Sequence, residues 1–366
     1  MKMFILITLI FLSAKNAFAL LPFDDATSPE LITSARALAM GNAYMSKADD
    51  GWAAFYNPAG LGTARGLKVH LMNLHIESNT GFLNITGQGG IQDSIGKYSE
   101  AFQPTALRQL HVDDPGNLSH ARLNLFPNIT YRGFTLGYMY SQQNRSRLKS
   151  VSDSFEIAER IDSGPVFALS TSLFGGILKF GASATYLTRR QLQKDFAANE
   201  AVSIDKEVDY TGGSMTHIVA GTRITLPFKF LPTFSAVLRN SSNTQWDSPS
   251  FSGTPDRIPQ TVDYGFSITP NLGRTFRMHI EVNIKDAGDR YTDVSAYRKL
   301  MAGIEFDYMR AMFVRFGYGD GWGSAGIGVR NDKFMFDLTT YAQEASDDGT
   351  REDEDRRFIL SISSGI

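Results

Sequence analysis

The chain has no cysteine in its 366 residues. Thiolate metal sites, disulfide frameworks and cysteine nucleophiles are excluded together. It also lacks long apolar runs, since no stretch beyond the N-terminus reaches the ~18 residues that a membrane-spanning helix requires. Charge of one sign is lacking too. With 36 Lys and Arg against 38 Asp and Glu, no basic field exists to hold nucleic acid. No His-Glu-x-x-His, Gly-x-Ser-x-Gly or P-loop pattern occurs. What the chain does have is 33 Gly, 26 Phe and 14 Tyr, too aromatic a composition for disorder.

The N-terminus reads as a secretory signal. Lys2 supplies a positive start, Phe4 to Leu12 an apolar run, and Ala17-Phe18-Ala19 a small-x-small cleavage site. Residues 1–19 are therefore expected to be removed on export.

Beyond them the chain alternates. In 275–285, Phe276, Met278, Ile280, Val282 and Ile284 fall on one face, with Arg277, His279, Glu281 and Lys285 on the other. Period two over eleven residues is a strand pattern, and its length suits a tilted strand crossing a bilayer. The same reading predicts fourteen strands, at 66–76, 121–131, 133–142, 164–173, 177–188, 213–226, 233–240, 261–269, 275–285, 298–308, 312–319, 323–330, 333–342 and 356–366. The connections alternate between long loops (77–120, 143–163, 189–212, 241–260, 286–297, 343–355, with 320–322 a short exception) and tight turns. This is how outer-membrane barrels are built. The fold expected is all-β, a 14-stranded antiparallel transmembrane β-barrel over 66–366, with both termini on the periplasmic side. Phe358, Leu360 and Ile362 continue the alternation to the C-terminus, although Ile366 replaces the usual terminal aromatic.

Residues 20–65 do not alternate. A helix is expected from Pro29 through Ala39, with Gly41 where it should stop. Asp49 or Asp50 is placed to cap a short helix carrying Trp52 and Phe55, and Asn57-Pro58-Ala59-Gly60 reads as the turn into the first strand. The segments 35–44 and 48–61, with their Asp-Asp and Asn-Pro-Ala-Gly steps, resemble the N-terminal region of the FadL-like outer-membrane proteins. That superfamily includes long-chain fatty-acid transporters, PorV-type proteins and TraF-like barrels. The resemblance implies that 20–65 is a partly helical hatch inside the barrel; an external periplasmic cap is the alternative.

Four further features bear on function. Ile91, Ile95, Tyr98 and Phe102 recur at helical spacing in the first loop, as a face that captures an apolar ligand or one that packs against other loops. Pro127 lies mid-strand, where it demands a bulge or leaves a lateral gap in a closed wall. The acids of 343–355 (Glu344, Asp347, Asp348, Glu352, Asp353, Glu354, Asp355) read as a solvated loop rather than a Ca²⁺ site. Arg277, His279, Glu281 and Lys285 read as a charge ladder lining a polar lumen.

No cofactor, metal or catalytic residue is expected. The resemblance implies an outer-membrane barrel for passive passage of hydrophobic small molecules such as long-chain fatty acids. Its surroundings would be outer-membrane lipid and lipopolysaccharide. The alternative is a non-transporting PorV-like or TraF-like barrel that binds an export or envelope-assembly protein. A hydrolase assembled from separate strands is a third class.

Overall fold

Alternation commits each outward side chain to an apolar surround, and the only sheet without free edges in such a surround is a closed one. The computed structural model describes residues 23, 27, 31–87, 91–292, 294–331, 333–346 and 351–365, together with all their side chains except those of 91 and 248–250. The expected signal sequence (residues 1–19), Ser28–Glu30, Asp347 and Asp348 lie outside the described residues.

The sheet contains β1 (Leu67–Asn79), β2 (Leu118–Leu125), β3 (Asn128–Tyr131), β4 (Phe134–Leu148), β5 (Phe155–Leu173), β6 (Leu178–Phe196), β7 (Tyr210–Thr225), β8 (Thr233–Arg239), β9 (Asp247–Phe251), β10 (Thr261–Ile268), β11 (Phe276–Ile284), β12 (Leu300–Tyr308), β13 (Met312–Gly319), β14 (Trp322–Arg330), β15 (Phe334–Glu344) and β16 (Glu354–Gly365). β2 and β3 form one stave across Phe126-Pro127, and β9 pairs only with β7, off the main path. Fourteen antiparallel staves remain, and β1 pairs with β16 to close them.

On β11, Phe276, Val282 and Ile284 are exposed while His279, Glu281 and Asn283 are buried. The outward band continues through Leu136, Phe167, Leu169, Phe234, Val314, Ile327 and Leu338. This is the surface a lipid-facing wall requires.

Two expectations need correction. The loop expected at 143–163 is mostly strand, because β4 and β5 run on as a tall hairpin paired from Phe134–Leu169 to Leu148–Phe155. β6 likewise extends to Phe196. Alternation is lost there because loops cover the outward face, leaving both sides buried. Gly164-Pro165 also breaks the β5–β6 ladder, whose pairing passes from Ser163–Thr188 to Val166–Thr185. The second correction is the helix expected from Pro29: α1 spans only Ala35–Ala39 and Leu31–Ser34 is irregular.

The first long loop carries α3 (Thr80–Thr86), α4 (Ile91–Gly96), a 3₁₀ turn at Tyr98–Phe102 and α5 (Pro104–Asp113). Phe82, Ile85, Leu107 and Leu110 pack with Phe155, Ile157, Leu192 and Phe196 into a satellite core at the loop end.

Candidate functional site

The lumen is occupied by the N-terminal segment. Residues 31–61 are almost entirely buried, and α1 contacts β13, β14, β15 and β16. α2 (Ala53–Tyr56) and the 3₁₀ turn Pro58–Thr63 lie against β5 and β6, and the turn also meets β7. Ile32, Met40, Tyr44, Trp52, Phe55 and Tyr56 form one cluster with Phe126, Met139, Val166, Leu187 and Met215 of the wall. Trp52 and Phe55 meet Phe126 at centroid distances of 5.4 and 5.0 Å.

Wall glycines let the segment approach this closely. A Cβ on Gly317 would stand 2.1 Å from both Met40 C and Gly41 N, and one on Gly221 would stand 2.1 Å from Asn57 Oδ1. Any larger residue at either position would push the segment off the wall.

Charge fixes it further. The Arg36 guanidinium donates to Glu305 from Nε and Nη2 (3.1 and 3.2 Å), to Tyr44 Oη (2.9 Å) and to Asp49 (3.2 Å). Arg315 and Lys47 hold the same Glu305 carboxylate at 2.7 and 3.4 Å. From β7, Arg223 donates to Ser46 O, Ala48 O and Gly60 O. Ser46 N donates to Glu281 Oε1 at 2.7 Å, so the lumenal ladder predicted on β11 binds the segment directly. Burial would raise the Asp49 carboxyl, but Arg36 and Lys47 outweigh burial and hold it well below the usual carboxylate range.

The structure places each motif residue as follows. Asp50 accepts from Trp52 N at 3.1 Å, but α2 starts one residue later, so Asp50 closes a turn ahead of the helix. Asn57 Oδ1 accepts from Ala59 N (3.1 Å) and caps the 3₁₀ turn begun by Pro58, while Asn57 Nδ2 reaches Thr222 O on β7 (3.3 Å). Gly60 leaves no room for a side chain beside Ala48 O.

Ile95, Tyr98 and Phe102 do not share one helix face, because α4 ends at Gly96 and a 3₁₀ turn follows. Ile95 is exposed. Tyr98 donates to Arg122 O at 2.6 Å and rests against Phe102 with ring centroids 5.6 Å apart. The side chain of Ile91 lies outside the described residues.

Pro127 points outward from the wall and is exposed. Pro127 O accepts from Tyr138 N at 3.1 Å. The ring leaves no N–H to return that bond to Tyr138 O. Asn128 Nδ2 donates to Phe126 O (2.8 Å), while Asn124 turns to Thr33 of the lumenal segment (3.2 Å). Behind the break stands the Trp52–Phe55–Phe126 cluster.

Between segment and wall, a cavity of about 260 Å³ opens beside Asp50 at the short-turn rim, and deeper ones hold about 20 and 10 Å³, room for a water apiece. Sequence reasoning missed Arg36, Glu305 and Arg223. Alternation marks Glu305 and Arg223 as lumenal, but nothing in it names their partners, and Arg36 lies in a helix outside any alternating stretch.

No protein-family model matches the chain, and no curated protein matches it. Among solved structures, it is similar to the CymD monoaromatic hydrocarbon channel at 11% identity and a TM-score of 0.50, covering 95% of this chain and 98% of that one. This chain has the fold of that barrel. The TodX monoaromatic hydrocarbon channel (deltaS2 mutant; 9% identity, TM-score 0.48, 91% and 97% covered) and a Pseudomonas aeruginosa FadL homologue (10%, 0.29, 92% and 98%) are also matched. At this identity the likeness concerns fold and assigns no substrate.

Proposed function

We propose that the protein is an outer-membrane channel for the passive passage of small hydrophobic molecules, closed at rest by its N-terminal segment. The reading is carried by a closed FadL-like wall whose lumen is filled by a separate, non-strand segment. The hydrocarbon channel with the same fold supports an apolar substrate. The short turns and both ends of the wall lie at one rim, the periplasmic rim of such barrels, and the long loops at the extracellular one.

An apolar cavity of about 150 Å³ takes a benzene-sized molecule; a cavity of about 260 Å³ opens beside Asp50 at the short-turn rim, but deeper between segment and wall the spaces hold only about 20 and 10 Å³. Passage therefore requires the segment to move. A second reading, a barrel that binds an export or envelope-assembly protein, is favoured by how firmly the segment is held.

The two readings separate on one experiment. Ser46 Oγ of the segment and Ser235 Oγ of β8 are 2.9 Å apart, and the chain has no cysteine to interfere. Ser46→Cys with Ser235→Cys should form a disulfide that pins the segment to the wall. Uptake of a labelled apolar substrate by cells should fall on oxidation and return on reduction, while each single variant is unaffected. Equal uptake in both states would refute a moving hatch, and absence of uptake in the parent protein would favour the binding role.

A further inference from the structure

The observations that lead beyond transport lie on the outside of the wall. Gln142, Ile161 and Arg190 stand side by side on the outward faces of β4, β5 and β6. They floor a cavity of about 300 Å³ roofed by Phe102 and Pro104 of the first loop, Ile204 and Lys206 of the loop after β6, and Phe251 of β9. Arg190 and Lys206 are both exposed and have no hydrogen-bond or ion-pair partner among the described residues. The carboxylate in the cavity, Glu159, is already occupied: it accepts from Gln142 Nε2 at 2.6 Å and from the Tyr210 hydroxyl. It makes no ion pair with Arg190 among the described residues, so two cations without ion-pair partners stand beside Ile161, Phe102 and Phe251.

Height identifies what they face. Tyr138, Tyr186 and Phe167 are exposed on the outward band below. Gln142 lies four residues beyond Tyr138 on β4, which on a strand tilted by ~40° is about 10 Å above the aromatic row. Aromatic side chains of this kind mark the membrane–water interface, so the cavity sits where lipid headgroups of the outer leaflet lie.

We infer that the Arg190–Lys206 cavity binds the phosphate of an acylated, phosphorylated glycolipid of the outer leaflet. Arg190 and Lys206 hold the phosphate by charge-assisted hydrogen bonds, Ile161, Phe102 and Phe251 cover the headgroup's apolar side, and the acyl chains run down past Tyr138 and Tyr186. The inference rests on outer-membrane placement and is independent of whether the barrel conducts.

The test uses the purified full-length barrel in neutral detergent. Probes are labelled lipid A, its dephosphorylated form and inorganic phosphate. Lipid A should bind roughly thirtyfold more tightly than the dephosphorylated lipid, the difference expected of two cations at a membrane surface. Arg190→Glu with Lys206→Glu should abolish that difference while leaving the barrel SDS-resistant. Equal binding of the two lipids by the parent protein would overturn the assignment, as would a double variant that keeps the preference. Inorganic phosphate displacing lipid A at equal concentration would overturn it in favour of a free-anion site. If the charge reversal fails to fold, Arg190→Gln with Lys206→Gln and the two-lipid comparison on the parent protein still decide.

Discussion

Single residues in this barrel are constrained by how closely two backbones approach. Gly317 and Gly323 are six residues apart in one hairpin, yet they differ completely. A Cβ on Gly317 meets lumenal backbone at 2.1 Å, whereas one on Gly323 meets nothing within 4 Å. Gly317→Ala should lower the midpoint of heat-induced unfolding in SDS, at a cost of about 1–3 kcal/mol for overpacking a site with no slack. Gly323→Ala should leave the midpoint in place. If the two behave alike, the segment does not sit against β13 as described. A second residue whose surroundings dictate its behaviour is His111 on α5. It is fully buried, its Nε2 lies 2.8 Å from Ser146 Oγ, and burial pushes its pKa from 6.5 down to about 4. Between those values the undocked helix takes a proton that the docked one refuses. Docking is therefore at full strength above pH 6.5 and weakens as pH falls, by about 3 kcal/mol at pH 4. Amide exchange on α5 should accelerate over this window in the parent protein, and His111→Gln should remove the pH dependence.

Among elements, the staves were legible and their extensions were not. All fourteen wall strands are recoverable from period-two patterns because the outward face is apolar and the inward one lines a polar lumen. Where β4, β5 and β6 rise beyond the outward apolar band, covering loops bury Phe155, Ile157, Leu192 and Phe196 on the outer face. The contrast between faces that makes alternation visible disappears there. The lumenal segment announced its position through Asp50, Asn57 and Gly60, but its ion pairs join residues as far apart as Arg36 and Glu305. No local pattern encodes such pairs. The stave broken at Pro127 is the element most open to test. Pro127→Val gives Tyr138 O the donor it lacks and should stabilise the barrel by about 1 kcal/mol. Because Phe126 seals the inner side against Trp52 and Phe55, uptake of an apolar substrate should not change at matched surface levels. Slower uptake would instead make this break a lateral exit.

Over the whole molecule, wall and segment are one folded unit held by opposed requirements. The wall is closed by backbone pairing from β1 to β16 and depends on no lumenal contact for its ladder. The segment has no sheet of its own and is held by apolar packing and by charges that are costly to leave unpaired. Arg36 is the point where these requirements meet, bonded at once to Glu305, Tyr44 and Asp49. Arg36→Ala removes charge-assisted bonds to the half-exposed Asp49 and to the buried Glu305, which keeps Arg315 and Lys47; a hydrogen bond to a charged group is worth about 1.5–3 kcal/mol. That cost falls on the docked segment and not on the wall. The variant should therefore remain an SDS-resistant barrel while its segment opens more often, seen as more frequent and larger conductance events in planar bilayers. A variant that loses the barrel along with the segment would show that wall and segment fold only together. Unchanged conductance in a folded barrel would mean that the apolar cluster around Trp52 holds the segment without the charges.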